Sequence, residues 1–527
     1  MAADVPSSPP ASTPATVTAS PVVTAPAPTG ATFYVDGPEY RYAVSGNNLL
    51  PQATIEAILK TAATPKAAVD AINNAFADAG YLLVVIGGQV ENKLVALQII
   101  QGRITQIDAP PEYLPFVRSL LERDDITRNQ LIRETAMVDF YGQRQGVSPR
   151  PTFAKAEQVG GTKLVITEEP IPGARPWSAG LVFSNLSGRF SSRYTVGGSA
   201  AVRPGNGLEL TATYNQGLPG LTSESAGASY KSGTLGASIV TPWGLYGLSY
   251  AKTDYQIGES GAPFYPSGEL EQGGVNGTQI VFATPSSRVT TTQSLMHYSN
   301  RQTVDIDAPE RFTLVEQDYD VVSAGAGYNG SFSLFGQNTS FGGSVTVAKG
   351  ISSPSGTFLP ADLGIPDPRF LLLQANASAQ MALPYDLSAG LTLTLQHSDS
   401  TLPQAQQWVL GGFGNLSAWL PAVLVGDSGL LGRATVNTSS YLWGAFSFSG
   451  GVFAEAGVSR MDYRARGEPY TRGLGDIGLS VVGSTTTGTT LTLAYAVPVW
   501  YRNVNGAVRE SADSNRAQVY FTLNQTF

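Results

Sequence analysis

Apolar and polar positions follow one rhythm between residues 32 and 170 and another beyond. In the first stretch the rhythm switches between helix and strand. Thr64 as N-cap, Pro65 behind it, Val69, Ile72 and Phe76 on one face, and Gly80 at the end predict a helix. Ile55, Ile58 and Leu59 predict a shorter helix from about Pro51 to Lys60. Leu82–Ile86 and Lys93–Ile100 read as strands; in the second, Val95, Leu97 and Ile99 share a face. With Phe33–Val44 as a strand ahead of them, the order is strand, helix, helix, strand, strand. A fainter copy follows. Ile104–Ile107 is a strand and Pro111–Leu121 a helix. Thr127 with Gln130 forms a capping box for a helix ending at Gly142, and Thr152–Ala156 and Lys163–Thr167 are strands. Two similar α/β modules of about 70 residues each are expected.

From residue 171 onward helical periodicity stops and period 2 takes over. Leu208, Leu210, Ala212 and Tyr214 alternate with Glu209, Thr211, Thr213 and Asn215. Leu391, Leu393 and Leu395 alternate with Thr392, Thr394 and Gln396, and Leu491, Leu493, Tyr495, Val497 and Val499 with Thr492, Ala494 and Ala496. The second face is small or hydroxylic rather than charged. A soluble sandwich shows similar alternation; so does a closed membrane barrel with lipid on one face and a wet lumen on the other. Trp and Tyr near segment ends suit an interfacial girdle. Val519, Phe521, Leu523 and Phe527 alternate up to a terminal Phe, broken only by Gln525, as the last strand of a bacterial outer-membrane barrel does. An edge strand that happens to end in Phe is the plain alternative.

Composition sharpens the choice. Charged residues make up 14% of the chain, against about 25% in an ordinary soluble protein. A helical span needs about 18 consecutive apolar residues; the best run, Tyr81–Ile86, ends at Gly87 and Gly88. A closed barrel is the remaining route into a bilayer. The net charge of −8 and the lack of any Lys/Arg run argue against nucleic acid as a partner. Without cysteine there is no disulfide, no thiolate ligand and no thiol nucleophile, and such a chain suits an oxidising compartment. His297 and His397 are the only histidines. His397-Ser398-Asp399 has the letters of a triad, but neighbours on a strand point to opposite faces. Zinc is not expected, no phosphate loop is present, and neither a catalytic residue nor a cofactor is expected. Barrel lipases with Ser/His pairs keep an enzyme as a minor alternative. Residues 1–31 are rich in Pro, with Asp4 the one charge, and read as a flexible linker. They lack the basic start and apolar core of a signal peptide, so an exported protein would already have lost its leader.

Four short motifs then occur in a telling order. They are Ala79-Gly80-Tyr81, Gly102-Arg103-Ile104-Thr105-Gln106-Ile107, Gly426-Asp427-Ser428-Gly429 and Phe453-Ala454-Glu455-Ala456-Gly457. The first two resemble the end of the second helix of a polypeptide-transport-associated (POTRA) domain and the joint after it. The last two resemble the "G-D-x-G" after a long sixth barrel loop and the barrel-wall "F-x-D-x-G". Together they resemble the TpsB-type two-partner secretion outer-membrane transporters, the hemolysin activator/secretion family of the BamA/TpsB superfamily. The resemblance implies a membrane β-barrel of about 16 antiparallel strands preceded by two periplasmic α/β POTRA domains. On this chain it places the linker at 1–31, POTRA domain 1 at 32–103, POTRA domain 2 at 104–170 and the barrel at 171–527, with a long sixth loop near 408–428. Within that loop region it singles out Gly411, Gly412, Phe413, Trp419, Gly426 and Asp427.

Two departures from the family pattern matter. The family's sixth loop carries "V/I-R-G-F/Y", whose Arg reaches into the lumen and pairs with the wall Asp. Here the stretch Gly411–Trp419 has no Arg, and the wall residue is Glu455. Val452, Ala454, Ala456 and Val458 make the lipid face, so Glu455 points inward; Ala434 and Val436 likewise turn Arg433 inward. An unpaired carboxylate in a crowded lumen would cost on the order of several kcal/mol or take up a proton. A Glu455–Arg433 pair replacing the loop lock is one reading; two groups simply solvated in a wet pore is the other. The second departure is the amino terminus, too rich in Pro for the pore-plugging helix of some family members.

The function the resemblance implies is transport of protein across the bacterial outer membrane, with the POTRA domains in the periplasm. An unfolded client would add itself to an edge strand or the groove beside Val69, Ile72 and Phe76 and leave through the barrel. The expected client is a large β-solenoid exoprotein. Other expected partners are outer-membrane lipids and the barrel-assembly machinery, for which Phe521, Leu523 and Phe527 form the signal. A barrel-assembly or insertion factor, and a passive porin with accessory periplasmic domains, are the alternatives.

Overall fold

Gly37 and Pro38 break the first extended stretch. The Gly37 N–H bonds the Tyr40 carbonyl at 2.9 Å, so the single strand expected over Phe33–Val44 is a hairpin of β1 (Phe33–Asp36) and β2 (Arg41–Ser45). Helices α1 (Gln52–Thr61) and α2 (Pro65–Asp78) follow, then β3 (Val84–Glu91) and β4 (Leu94–Gln101). Helix α2 starts where the Thr64 hydroxyl accepts the Ala67 N–H at 3.2 Å. It ends before Gly80, whose φ of +86° few other residues tolerate. The sheet runs β1-β2-β4-β3, with β2 and β4 parallel. The computed structural model describes residues 32–123, 125–158, 161–221, 227–258, 265–307, 310–352, 357–358, 366–463, 468–504 and 519–527. The linker expected at 1–31 lies outside the described residues.

The helices close over this sheet. Ile55, Leu59, Ile72 and Phe76 are buried against Tyr42, Val44, Val95, Leu97 and Ile99, each large side chain contributing about 1.5–3 kcal/mol. The residues expected beside a docking groove take part in this packing to different degrees. Ile72 and Phe76 are 0% and 1% exposed and belong to the core; of the three, only Val69 is partly open. What the module does present is the outer edge of β3, with Val85 64% and Val90 57% exposed.

The second module comprises β5 (Arg103–Asp108), α3 (Leu114–Val117), α4 (Arg128–Gln145), β6 (Val147–Lys155) and β7 (Gly161–Pro170), with sheet order β5-β7-β6. The helix expected over Pro111–Leu121 is a single α turn between two 3-10 turns, because Pro110, Pro111 and Pro115 supply no N–H for a longer one. Helix α4 passes the expected stop at Gly142 and ends before Gly146, at φ +78°. Gly142 answers a different need: a Cβ there would come within 2.5 Å of the Pro149 ring. By packing, one compact unit takes the described residues of Met1–Asp108 with Leu120–Thr127 and Phe153–Leu164. The other takes Ala109–Ser119, Arg128–Thr152 and Val165–Phe527.

Within the second unit sixteen antiparallel strands close into a barrel, the first (Trp177–Ser184) pairing with the last (Tyr520–Thr526). The Gly-rich stretches Ser323–Gly336 and Gly342–Gly350, weakly alternating in sequence, lie in the strands Glu310–Leu334 and Gln337–Gly350 and the turn between them. Leu391, Ala434, Ala454, Ile477 and Val497 form one cross-strand row. Leu391 and Ile477 of that row are each 47% exposed on the outer wall. A continuous apolar exterior on a closed sheet is the solution a strand bundle adopts in hydrocarbon. Among the described residues no helix is long and apolar enough to cross a membrane. One end of the barrel carries short hairpin turns and the other the longer loops. Helix α4 sits on the turn end. Arg144 donates to the carbonyls of Gly207 at 2.6 Å and Ser238 at 2.9 Å and to the Ser238 hydroxyl at 2.7 Å.

Candidate functional site

The inward row next to Leu391 carries the chemistry. Thr392, Arg433, Glu455 and Asp476 face one another across four strands. The row brings the expected residues Arg433 and Glu455 together as an ion pair through Nη1 and Oε1. Arg433 also lies over the Phe453 ring, 4.6 Å from its centroid. The Glu455 side chain is fully buried and that of Arg433 is 23% exposed. A carboxylate taken this far from water is costly unless it is paired and hydrogen-bonded, and one guanidinium does not suffice for it and Asp476 together.

The sixth loop adds one N–H to each carboxylate, while Asp476 Oδ1 is buried without a hydrogen-bond partner among the described residues. The limbs of the loop, Trp408–Leu410 and Leu424–Gly426, pair as a short hairpin, and its tip folds back into the barrel. Gly411, Gly412, Gly414 and Leu416 all have positive φ, at +108°, +99°, +79° and +68°, and the first three are glycines because such angles disfavour a Cβ. The tight turn so formed is locked by Gly411 N–H to the Asn415 carbonyl at 2.8 Å and Gly412 N–H to the Trp419 carbonyl at 3.0 Å. Two consecutive N–H groups are left pointing at the wall. That of Ser417 donates to Glu455 Oε2 at 2.6 Å, and that of Ala418 to Asp476 Oδ2 at 2.8 Å. The loop thus meets the wall carboxylates with a main-chain nest, and the guanidinium is supplied from the wall.

Apolar packing surrounds this anchor. Trp408, Leu410, Leu416, Trp419 and Leu424 of the loop are buried with Phe453, Leu474 and Ala496 of the wall. Phe413 lies against Tyr520 of the last strand, centroids 5.7 Å apart. At the base, Gly426 abuts the backbone of Arg460, and buried Asp427 accepts the Leu402 N–H at 2.8 Å. Arg472 donates to the Val425 carbonyl at 3.0 Å.

Other expected residues lie apart from this cluster. On the last strand Phe521 and Leu523 stand opposite Leu493 and Leu491 on the outer face, and Phe527 is 54% exposed. Gln525, the break in that face, uses its amide on the neighbouring turn, donating to the Thr487 carbonyl at 2.9 Å. His397 and Asp399 approach to 3.3 Å because the strand ends between them, at Ser398. The Ser428 hydroxyl, 3.5 Å from His397, accepts the Ser398 N–H and donates to the Ser398 carbonyl, so it is engaged by main chain. Asp476 was missed in the sequence. Its signal was the alternation of Ile477, Leu479 and Val481, which turns position 476 inward.

No protein-family model and no curated protein matches the chain. Solved structures do. CdiB from Escherichia coli matches with a TM-score of 0.73 and 15% identity, over 96% of this chain and 93% of that one. CdiB from Acinetobacter baumannii matches with a TM-score of 0.66 and 14% identity, over 90% and 86%. The chain therefore has the fold of the CdiB structures, a sixteen-stranded barrel behind α/β modules, as the resemblance to the TpsB-type transporters implied.

Proposed function

We propose that the chain is an outer-membrane transporter that receives an unfolded client protein on its N-terminal modules and passes it through the barrel to the outside. The observation that carries this reading is the sixth loop. It fills part of the lumen yet is fixed to the charged row by two main-chain hydrogen bonds and packing. Such an element can leave as a unit without unzipping the wall. Many lumen positions, such as Ser249, Thr253, Ser344 and Thr392, are small and hydroxylic and give an extended chain little to stick to. In this reading the turn end, with α4, faces the periplasm, and the loop end faces out. Clients dock by adding a strand to the open edge of β3, where main-chain bonds give affinity with little sequence demand. A large β-solenoid suits as client, because its folding outside supplies the drive.

The Arg433–Glu455 pair and the Ser417–Ala418 nest together replace the loop arginine of the family as the lock of the resting state. Deleting the gene separates the readings. Loss of one exported protein supports the transporter; loss of many barrels points to an assembly factor, and loss of solute uptake alone to a porin. A pull-down from cell envelope with the full-length protein would identify the client.

A further inference from the structure

Fifteen of the sixteen strand-to-strand contacts in the wall join strands that follow one another in the chain; the last joins the two ends. That seam is short. Five residue pairs, Thr522–Thr526 against Gly180–Ser184, form its ladder, against eight between the first strand and the second. At the loop end, where the first strand stops at Ser184, the next residue continues the ladder with its side chain. Buried Asn185 donates from Nδ2 to the Val519 carbonyl at 2.9 Å and accepts the Phe521 N–H on Oδ1 at 2.8 Å. Its own N–H reaches the Phe521 carbonyl at 3.3 Å. A carboxamide offers the same donor and acceptor as a peptide group, so the Asn185 side chain adds one more rung beyond the bond its own N–H makes.

The same point is held from both faces. Outside, Phe183 and Tyr194 flank Phe521 at 5.3 and 6.2 Å between centroids. Inside, Phe413 at the tip of the sixth loop rests on Tyr520. We propose that Asn185 is a side-chain clasp that completes closure of the barrel seam, and that the sixth loop, through Phe413 on Tyr520, sets how firmly that clasp holds. Withdrawing the loop tip loosens the last strand at its loop end first. The clasp does not depend on what passes through the barrel, and it stands even if the chain transports no protein.

Amide hydrogen exchange of the full-length protein in lipid nanodiscs tests it. Asn185→Ala is expected to speed exchange over residues 519–523 about tenfold, the effect of losing two net hydrogen bonds locally. Asn185→Asp is expected to do at least as much, since a carboxylate has no donor for the Val519 carbonyl. Phe413→Ala should raise exchange in the same segment by about threefold. The strands Leu208–Gly217 and Ser229–Thr241 should not change. If Asn185→Ala does not assemble, Asn185→Ser, which keeps an acceptor for Phe521, reads the same segment and should be intermediate. Wild-type exchange at 519–523 in both Asn185→Ala and Asn185→Asp overturns the clasp, as does a rise spread equally over all strands. Unchanged exchange in Phe413→Ala overturns its coupling to the loop.

Discussion

Glu455 and Asp476 are two buried carboxylates in adjacent positions of one cross-strand row, and the molecule handles them with one guanidinium and two backbone N–H groups. Removing the guanidinium leaves Glu455 with the Ser417 N–H. Breaking a buried pair from one side costs about 3–5 kcal/mol, so Arg433→Ala is expected to lower the temperature at which the barrel unfolds on a heat-modified gel. Glu455→Gln combined with Arg433→Met should recover most of that loss. The nest makes a different demand, for N–H groups and not for side chains. Ala418→Pro deletes the bond to Asp476 and should raise single-channel conductance severalfold in a planar bilayer, whereas Ala418→Ser should conduct like wild type. Parity read from Val452, Ala454 and Ala456 for Glu455, and from Ala434 and Val436 for Arg433, was enough to turn both toward the lumen. The nest was not legible, because it depends on positive φ at Leu416 as well as at the glycines.

Among the elements, helix α2 was legible because its stop and start are local: Thr64 and Pro65 at one end and Gly80 at the other. Its apolar face was legible too, yet its use was not, since a core face and a docking groove have the same pattern. Ile72→Ala is therefore expected to destabilise the first module by about 2–5 kcal/mol and not to act on the client alone. Val85→Glu with Val90→Glu, on the open edge of β3, should leave the melting of the module unchanged and weaken client binding at least tenfold, measured by titration with the client. Helix α4 carries a pH-dependent term of its own. Burial raises the Asp139 carboxyl to about 6, with Arg288 and Arg150 opposing the shift. A carboxyl with a raised pKa in the fold favours the folded state when protonated, so its contribution is full below the unfolded value near 4 and is lost as pH climbs through 6. Asp139→Asn should raise the unfolding midpoint at pH 7.5 and leave it nearly unchanged at pH 4.

At the scale of the whole molecule, the alternation of small hydroxylic and apolar residues announced the barrel wall, and the ordered motifs announced its company. Strands such as Glu310–Leu334 were harder to see, because glycine on both faces hides the period. The closed seam and the seat of α4 on the hairpins bring together residues hundreds of positions apart, such as Asn185 with Phe521, and no local pattern encodes them. Passage of another polypeptide through the lumen is the claim on which the functional reading stands. It is tested most directly by placing a photo-crosslinking amino acid at Ser249, which the pleat turns inward, and at Leu248, 59% exposed on the outer wall, in cells that secrete the client. Irradiation is expected to join the client to position 249 and not to position 248. Equal yields at the two positions, or none at 249 while secretion proceeds, would contradict it.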